Sequence, residues 1–273
     1  MFVGKQIRLS RLLNTKSGRM LGITVDHPIT RGVLPGIEDI ARVLDEVVAG
    51  GPEAVTMHKG IAEKVFPPHA GKVSMIFKAS AYSTQFHPYE EAIVADVDEA
   101  VRFGADAISV GMIVGGPEQT TQLTNLGRIS REAALAGMPL VAHIYPKGSR
   151  MDDPNSADAV AYAARAGAEL GVDLIKTLWT GSGESFRKVV EACPSRVALA
   201  GGEMGENLED YLNMTREALD VGLAGVTYGR FVWQHDHPAA VIRAIAALMH
   251  DEASVAEALE IYEEQVARGQ EAR

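Results

Sequence analysis

Short apolar runs alternate with amphipathic stretches along nearly the whole chain, and a glycine punctuates the alternation. Four times a helix-like stretch ends in glycine and a short apolar strand follows: after Gly50-Gly51, Gly104, Gly171 and Gly222. Glycine tolerates the left-handed backbone of a helix stop, so the repeat predicts helix, turn, strand. With the remaining apolar runs, strands are predicted near residues 20–25, 54–58, 73–77, 107–110, 140–145, 172–177, 197–200 and 226–228. Between them, Ile37, Ile40, Val43, Leu44 and Val47 recur at helical spacing, as do Ala161, Ala164, Ala168 and Leu170. Residues 184–192 and 208–221 read as two further helices. The polar and aromatic stretch 82–89 reads instead as a loop, placed as a lid would be. Strands alternating with helices imply a parallel sheet, and eight such units imply a closed (β/α)8 barrel of the TIM type. No Pro- or Ser-rich linker divides the chain, so one α/β domain over 1–273 is expected. Its barrel core covers 18–250, and a charged extra helix covers 254–273.

Composition narrows the function without naming it. The chain has 273 residues and a net charge of −10, an acidic balance that disfavours a general nucleic-acid binder. Cys193 is the sole cysteine, which excludes an internal disulfide and fits a reducing cytoplasm. Lys5, Arg8 and Arg11 interrupt the N-terminal region, so neither a signal peptide nor a membrane span is predicted.

Barrel enzymes do their chemistry at the C-terminal ends of the strands. The strand ends here carry Asp26 and His27, then His58 and Lys59, then Lys78. The fifth strand adds His143, Tyr145 and Lys147, and the sixth Lys176 and Thr177. The last two strands end in Gly201 and Gly202, and in Gly229 and Arg230. Lys176 has the most consistently apolar flanks. Burial lowers an amine's pKa and frees it to attack a carbonyl, which suggests Schiff-base chemistry on a phosphorylated carbonyl compound. Lys59 and Lys78 are competing amines, and any strand-end lysine can also snorkel to solvent. Tyr145 reads as a general acid/base or as a core tyrosine; Asp26 as a proton shuttle, a hydroxyl ligand or a cap. Glycines after the seventh and eighth strands suit a phosphate held on backbone amides with Arg230 beside it, though a tight turn also needs glycine. His27, His58, His87, His143 and His235 keep a metal-dependent lyase open, but none of the strand-end histidines has the H-x-x-x-H spacing of a metal site. A non-catalytic phosphosugar-binding barrel is the third reading.

At these residues the chain resembles the archaeal-type class I aldolases, which include fructose-bisphosphate aldolase and 2-amino-3,7-dideoxy-D-threo-hept-6-ulosonate synthase. The matching segments are Gly22-Ile23-Thr24-Val25-Asp26-His27, His58-Lys59-Gly60, Gly104-Ala105-Asp106-Ala107, Tyr145-Pro146-Lys147-Gly148, Ile175-Lys176-Thr177 with Thr180-Gly181, and Ala200-Gly201-Gly202. The resemblance implies Lys176 as the Schiff-base lysine, Tyr145 as the general acid/base and Asp26 as its helper. It places the substrate phosphate at Gly201, Gly202, Gly229 and Arg230. From their places at strand ends, His27, His58, Lys59 and His143 are expected as further substrate contacts. It implies no metal and no cofactor beyond the covalent imine. It also implies a phosphorylated carbonyl substrate, a cytoplasmic location and a homo-oligomer, since relatives often form decamers of pentameric rings. The chain departs from the family at Pro28, at Ala79-Ser80-Ala81-Tyr82, at His143 and at Glu203-Met204-Gly205. These departures fall on substrate-facing loops. They leave open dihydroxyacetone phosphate or a ketose phosphate as donor, and aspartate semialdehyde or another aldehyde as acceptor.

Overall fold

A computed structural model of the chain describes residues 2–148, 151–201 and 207–271. Eight parallel strands close into a barrel: β1 (Met20–Thr24), β2 (Ala54–His58), β3 (Ser74–Lys78), β6 (Ala107–Val114), β7 (Leu140–Pro146), β8 (Leu174–Thr177), β9 (Arg196–Ala200) and β10 (Gly225–Tyr228). All eight coincide with the strands read from the sequence. β10 pairs with β1 to complete the ring, with Leu21 opposite Val226. The remaining strands, β4 (Ser80–Ser83) and β5 (His87–Ile93), form a separate antiparallel hairpin. The stretch 82–89 is therefore not the loop expected but most of this hairpin. Its outer face alternates weakly and no Asn-Gly turn announces it, so the pattern of polar and apolar positions did not expose it.

Helices α3 (Ile40–Gly50), α6 (Gln119–Leu135), α7 (Ala157–Glu169), α8 (Gly183–Ala192), α9 (Leu208–Asp220) and α11 (Pro238–His250) surround the barrel. Side chains of Asp39, Ser156, Ser182 and Asn207 cap four of them by accepting backbone N–H groups. The short helices α2 (His27–Arg31), α4 (Lys59–Val65), α5 (Val97–Arg102) and α10 (Arg230–Trp233) follow strand ends or the hairpin. α12 (Val255–Glu271) is the expected terminal helix. Among the described residues no helix is long and apolar enough to cross a membrane.

The N-terminal helix α1 (Val3–Leu12) was not apparent in the sequence pattern. Its Leu9 and Leu12 enter the N-terminal end of the barrel and pack on Met20, Ala54, Ile76, Ala107, Val141, Leu174 and Ala198. The cations that interrupt the apolar run are its polar side. Lys5 pairs with Asp173 at 2.7 Å, Arg11 with Asp106 at 3.1 Å, and Arg8 donates to the Gly137 carbonyl. The glycine punctuation thus has a second use. Gly51, Gly104 and Gly171 take the left-handed conformation, and an acid stands two residues after each. Glu53, Asp106 and Asp173 accept from the backbone N–H of Leu21, Met75 and Leu140, each the first or second residue of the neighbouring strand. These carboxylates satisfy backbone donors that the barrel's lower rim would otherwise leave unpaired.

Residues paired in register on parallel strands share a face of the sheet. Below the mouth that inner face is apolar; higher up it becomes polar, with Thr24, Lys78, Ser109, His143, Lys176 and Thr227 all buried.

Candidate active site

Lys176 is the third residue of β8 and alternates inward with Leu174, while Ile175 joins the core outside the barrel. It stands in register between His143 of β7 and Ala198 of β9. Only 6 % of its surface is exposed. It opens onto a cavity of about 760 Å³ at the barrel mouth, which Asp26, His27, His143, Tyr145, Gly201, Gly229 and Arg230 also line. Two expected contacts stand apart from it. Lys59 is exposed and pairs with Glu99 at 2.9 Å; His58 ends β2 in register with Lys78 and acts on the Asp26 carboxyl, but is not among the residues that line the cavity. Gly202, with Glu203, Met204 and Gly205, lies outside the described residues.

Burial is the largest influence on Lys176 and lowers its amine. Asp26 opposes the effect and Lys78 and Arg230 add to it, leaving a pKa of about 8. At pH 7 roughly a tenth of such an amine is neutral, against well under a thousandth of an ordinary lysine. Burial alone would raise the Asp26 carboxyl, but the field of His27, Lys176, Lys78 and His58 holds it below its usual value. Burial also brings His27 down to about 4, so at neutral pH the lysines supply that field. Asp26 is then a carboxylate 3.7 Å from the His27 ring. His143 is neutral for the same reason, its burial reinforced by Lys78 and Lys176. Burial raises the Tyr145 phenol well above its ordinary value, and Tyr82, Asp26 and Glu91 raise it further. The resting cavity therefore holds an amine that deprotonates readily, a carboxylate and a protonated phenol. That set can form a carbon–nitrogen bond and move the protons the bond requires.

Both described glycines that follow β9 and β10 are required by packing. A side chain at Gly229 would run into the His27 ring and Thr24 Oγ1, and one at Gly201 would meet the Tyr211 hydroxyl and Tyr228. Trp233 holds this corner by donating from Nε1 to the Thr24 carbonyl at 3.1 Å, its ring edge-on to His27.

Several site residues were not singled out from the sequence. Tyr82 of the hairpin lines the cavity, with the Lys147 ammonium 5.3 Å from its ring centre. Thr30, Asp153, Asn155, Ser156 and Tyr211 also line the cavity. Glu91 of β5 is 4 % exposed, and neither of its carboxylate oxygens has a hydrogen-bond partner. It occupies the space a side chain at Gly111 would fill, on the inner face beside His143. Only the hairpin, with Ser80 Oγ accepting from the Gly111 N–H at 2.7 Å, brings Glu91 there. Among the described residues no three His, Cys, Asp or Glu side chains are grouped so as to hold a metal ion.

The fold and the strand-end chemistry define a class I aldolase on a TIM barrel, and the comparisons agree. The DeoC/LacD family aldolase profile matches residues 19–235, and the chain belongs to that family. It is 38 % identical over 258 residues to 2-amino-3,7-dideoxy-D-threo-hept-6-ulosonate synthase of Halobacterium salinarum, covering 94 % of this chain and 95 % of the relative. It is 32 % identical over 253 residues to the class 1 fructose-bisphosphate aldolase of the same species, covering 90 % and 95 %. An archaeal fructose-1,6-bisphosphate aldolase superposes with a TM-score of 0.81 at 28 % identity, covering 90 % of this chain and 99 % of the other. A structure of such an aldolase at the same similarity has its catalytic lysine covalently bound to the carbinolamine intermediate of the substrate.

Proposed function

We propose that Lys176 is the imine-forming lysine of this aldolase, Tyr145 its proton-transfer group and Asp26 the carboxylate that assists it. The observation that carries this reading is the Lys176 amine, buried and thereby brought to a pKa of about 8, with the other two groups lining the same cavity. The neutral amine attacks the ketone carbon of dihydroxyacetone phosphate or a ketose phosphate. The ketone oxygen takes up a proton, and the carbinolamine then loses water. The resulting iminium withdraws electrons from the adjacent carbon, so a C–C bond there forms or breaks through an enamine. In the bond-forming direction the acceptor's carbonyl becomes an alkoxide and Tyr145 gives it a proton; in cleavage Tyr145 takes that proton back. Arg230, with the backbone at Gly201 and Gly229, binds the donor phosphate, and that binding orients the ketone toward Lys176.

The acceptor we favour is aspartate semialdehyde, in a biosynthetic reaction. The synthase-type relative supports this, and so do Arg31 and Lys147 on the cavity wall, two cations suited to an acceptor carboxylate. Fructose-bisphosphate cleavage is the second reading, supported by the relative of that name. The test is borohydride trapping with dihydroxyacetone phosphate followed by peptide mass spectrometry. A reduced adduct on Lys176 is expected. No adduct on any lysine, with other ketose phosphates also tried, would sink the imine reading.

A further inference from the structure

We propose that Tyr211, on the outer helix α9, is a positioning residue for the donor phosphate: it ties Gly201, just after β9, to Phe231, beside Arg230, at the phosphate end of the cavity. The inference rests on the reading that the phosphate lies between Gly201 and Arg230. Those residues follow different strands, β9 and β10, and one side chain holds both segments. The Tyr211 hydroxyl donates to the Gly201 carbonyl. Its ring lies flat on Phe231, the residue after Arg230, with centroids 3.7 Å apart and planes 6° from parallel. The ring is 2 % exposed, its other contact being the edge of Tyr228 at 5.0 Å. Thr215 fixes the base of the arrangement, donating from Oγ1 to the Tyr211 carbonyl at 2.7 Å and lying 2.7 Å from the Tyr228 hydroxyl.

The column continues outward. His235 follows Phe231 at 6.2 Å between ring centres, and Tyr262 of the terminal helix packs edge-on against His235 at 5.4 Å. The terminal helix thereby braces the phosphate end from outside the barrel. A hydroxyl already given to a backbone carbonyl does not also donate to an anion, so Tyr211 acts through Gly201 and Phe231.

Tyr211→Phe keeps the ring and removes the bond to Gly201. The experiment measures borohydride trapping against donor concentration, for dihydroxyacetone phosphate and for unphosphorylated dihydroxyacetone, with the thermal midpoint recorded alongside. Half-saturation by the phosphorylated donor should rise about tenfold, the scale of one well-placed hydrogen bond. The trapping rate at saturation should stay within about twofold, and half-saturation by dihydroxyacetone should not follow. Equal weakening toward both donors would mark Tyr211 as merely structural and overturn the inference, as would an unchanged response to the phosphorylated donor. A wild-type protein with no preference for the phosphorylated donor would instead overturn the phosphate reading beneath it, a failure visible before any substitution is made.

Discussion

At the scale of single residues the proposed reaction depends on one amine, and its neighbours tune it in opposite directions. Asp26 favours the ammonium of Lys176, whereas burial, Lys78 and Arg230 favour the neutral amine. Only the neutral form attacks, so trapping should speed up as pH rises through about 8. Lys78→Met removes a positive charge that disfavours the ammonium. The midpoint of the pH profile should then move to higher pH, with slower trapping at pH 7; an unmoved midpoint would remove Lys78 from the account. That Lys176, Tyr145 and Asp26 stand at strand ends was legible in the sequence, because a strand end is a local feature, written in the residues that precede it; the structure brings all three to one cavity. Glu91 and Tyr211 were not legible. Glu91 stands against Gly111 only because the hairpin packs on β6, and Tyr211 reaches Gly201 from the outer helix α9; neither is at a strand end, so no local pattern marks it.

At the scale of elements, the two ends of the barrel do different work. The lower end is sealed by α1, whose Leu12 is 2 % exposed inside the apolar layer. Leu12→Ala should cost about 2–5 kcal/mol of stability, read by denaturant unfolding, because the closed barrel cannot collapse around the void. The half-saturating donor concentration should stay as it was, since the cavity is at the other end. A large change there with little loss of stability would contradict this division. The barrel strands could be read as short apolar runs, four of them after glycine stops, and several of the helices from a period of 3.6. The hairpin could not, because four of the seven residues of β5 are exposed and the strand lacks a clean alternation. α1 was hidden by its own cations, which read as interruptions until Asp106 and Asp173 supplied their partners.

At the scale of the whole molecule, one cavity is lined by the Lys176 amine, by Arg230 with Gly201 and Gly229, and by the cations Arg31 and Lys147, the set that the proposed condensation uses. If the imine is the electron sink, a chelator should leave the rate unchanged, while borohydride with dihydroxyacetone phosphate should abolish it. Activity lost to a chelator and restored by a divalent ion would refute that. The chain by itself determined the barrel, its eight strands and the residues at their ends, because burial pattern and helix stops are short-range properties of the sequence. The tertiary structure alone decided which of those residues share a cavity, sending Lys59 to the surface and bringing Tyr82 and Tyr211 to the wall. It also set the charge on each group, since a pKa depends on burial and on neighbours that meet only when the barrel closes.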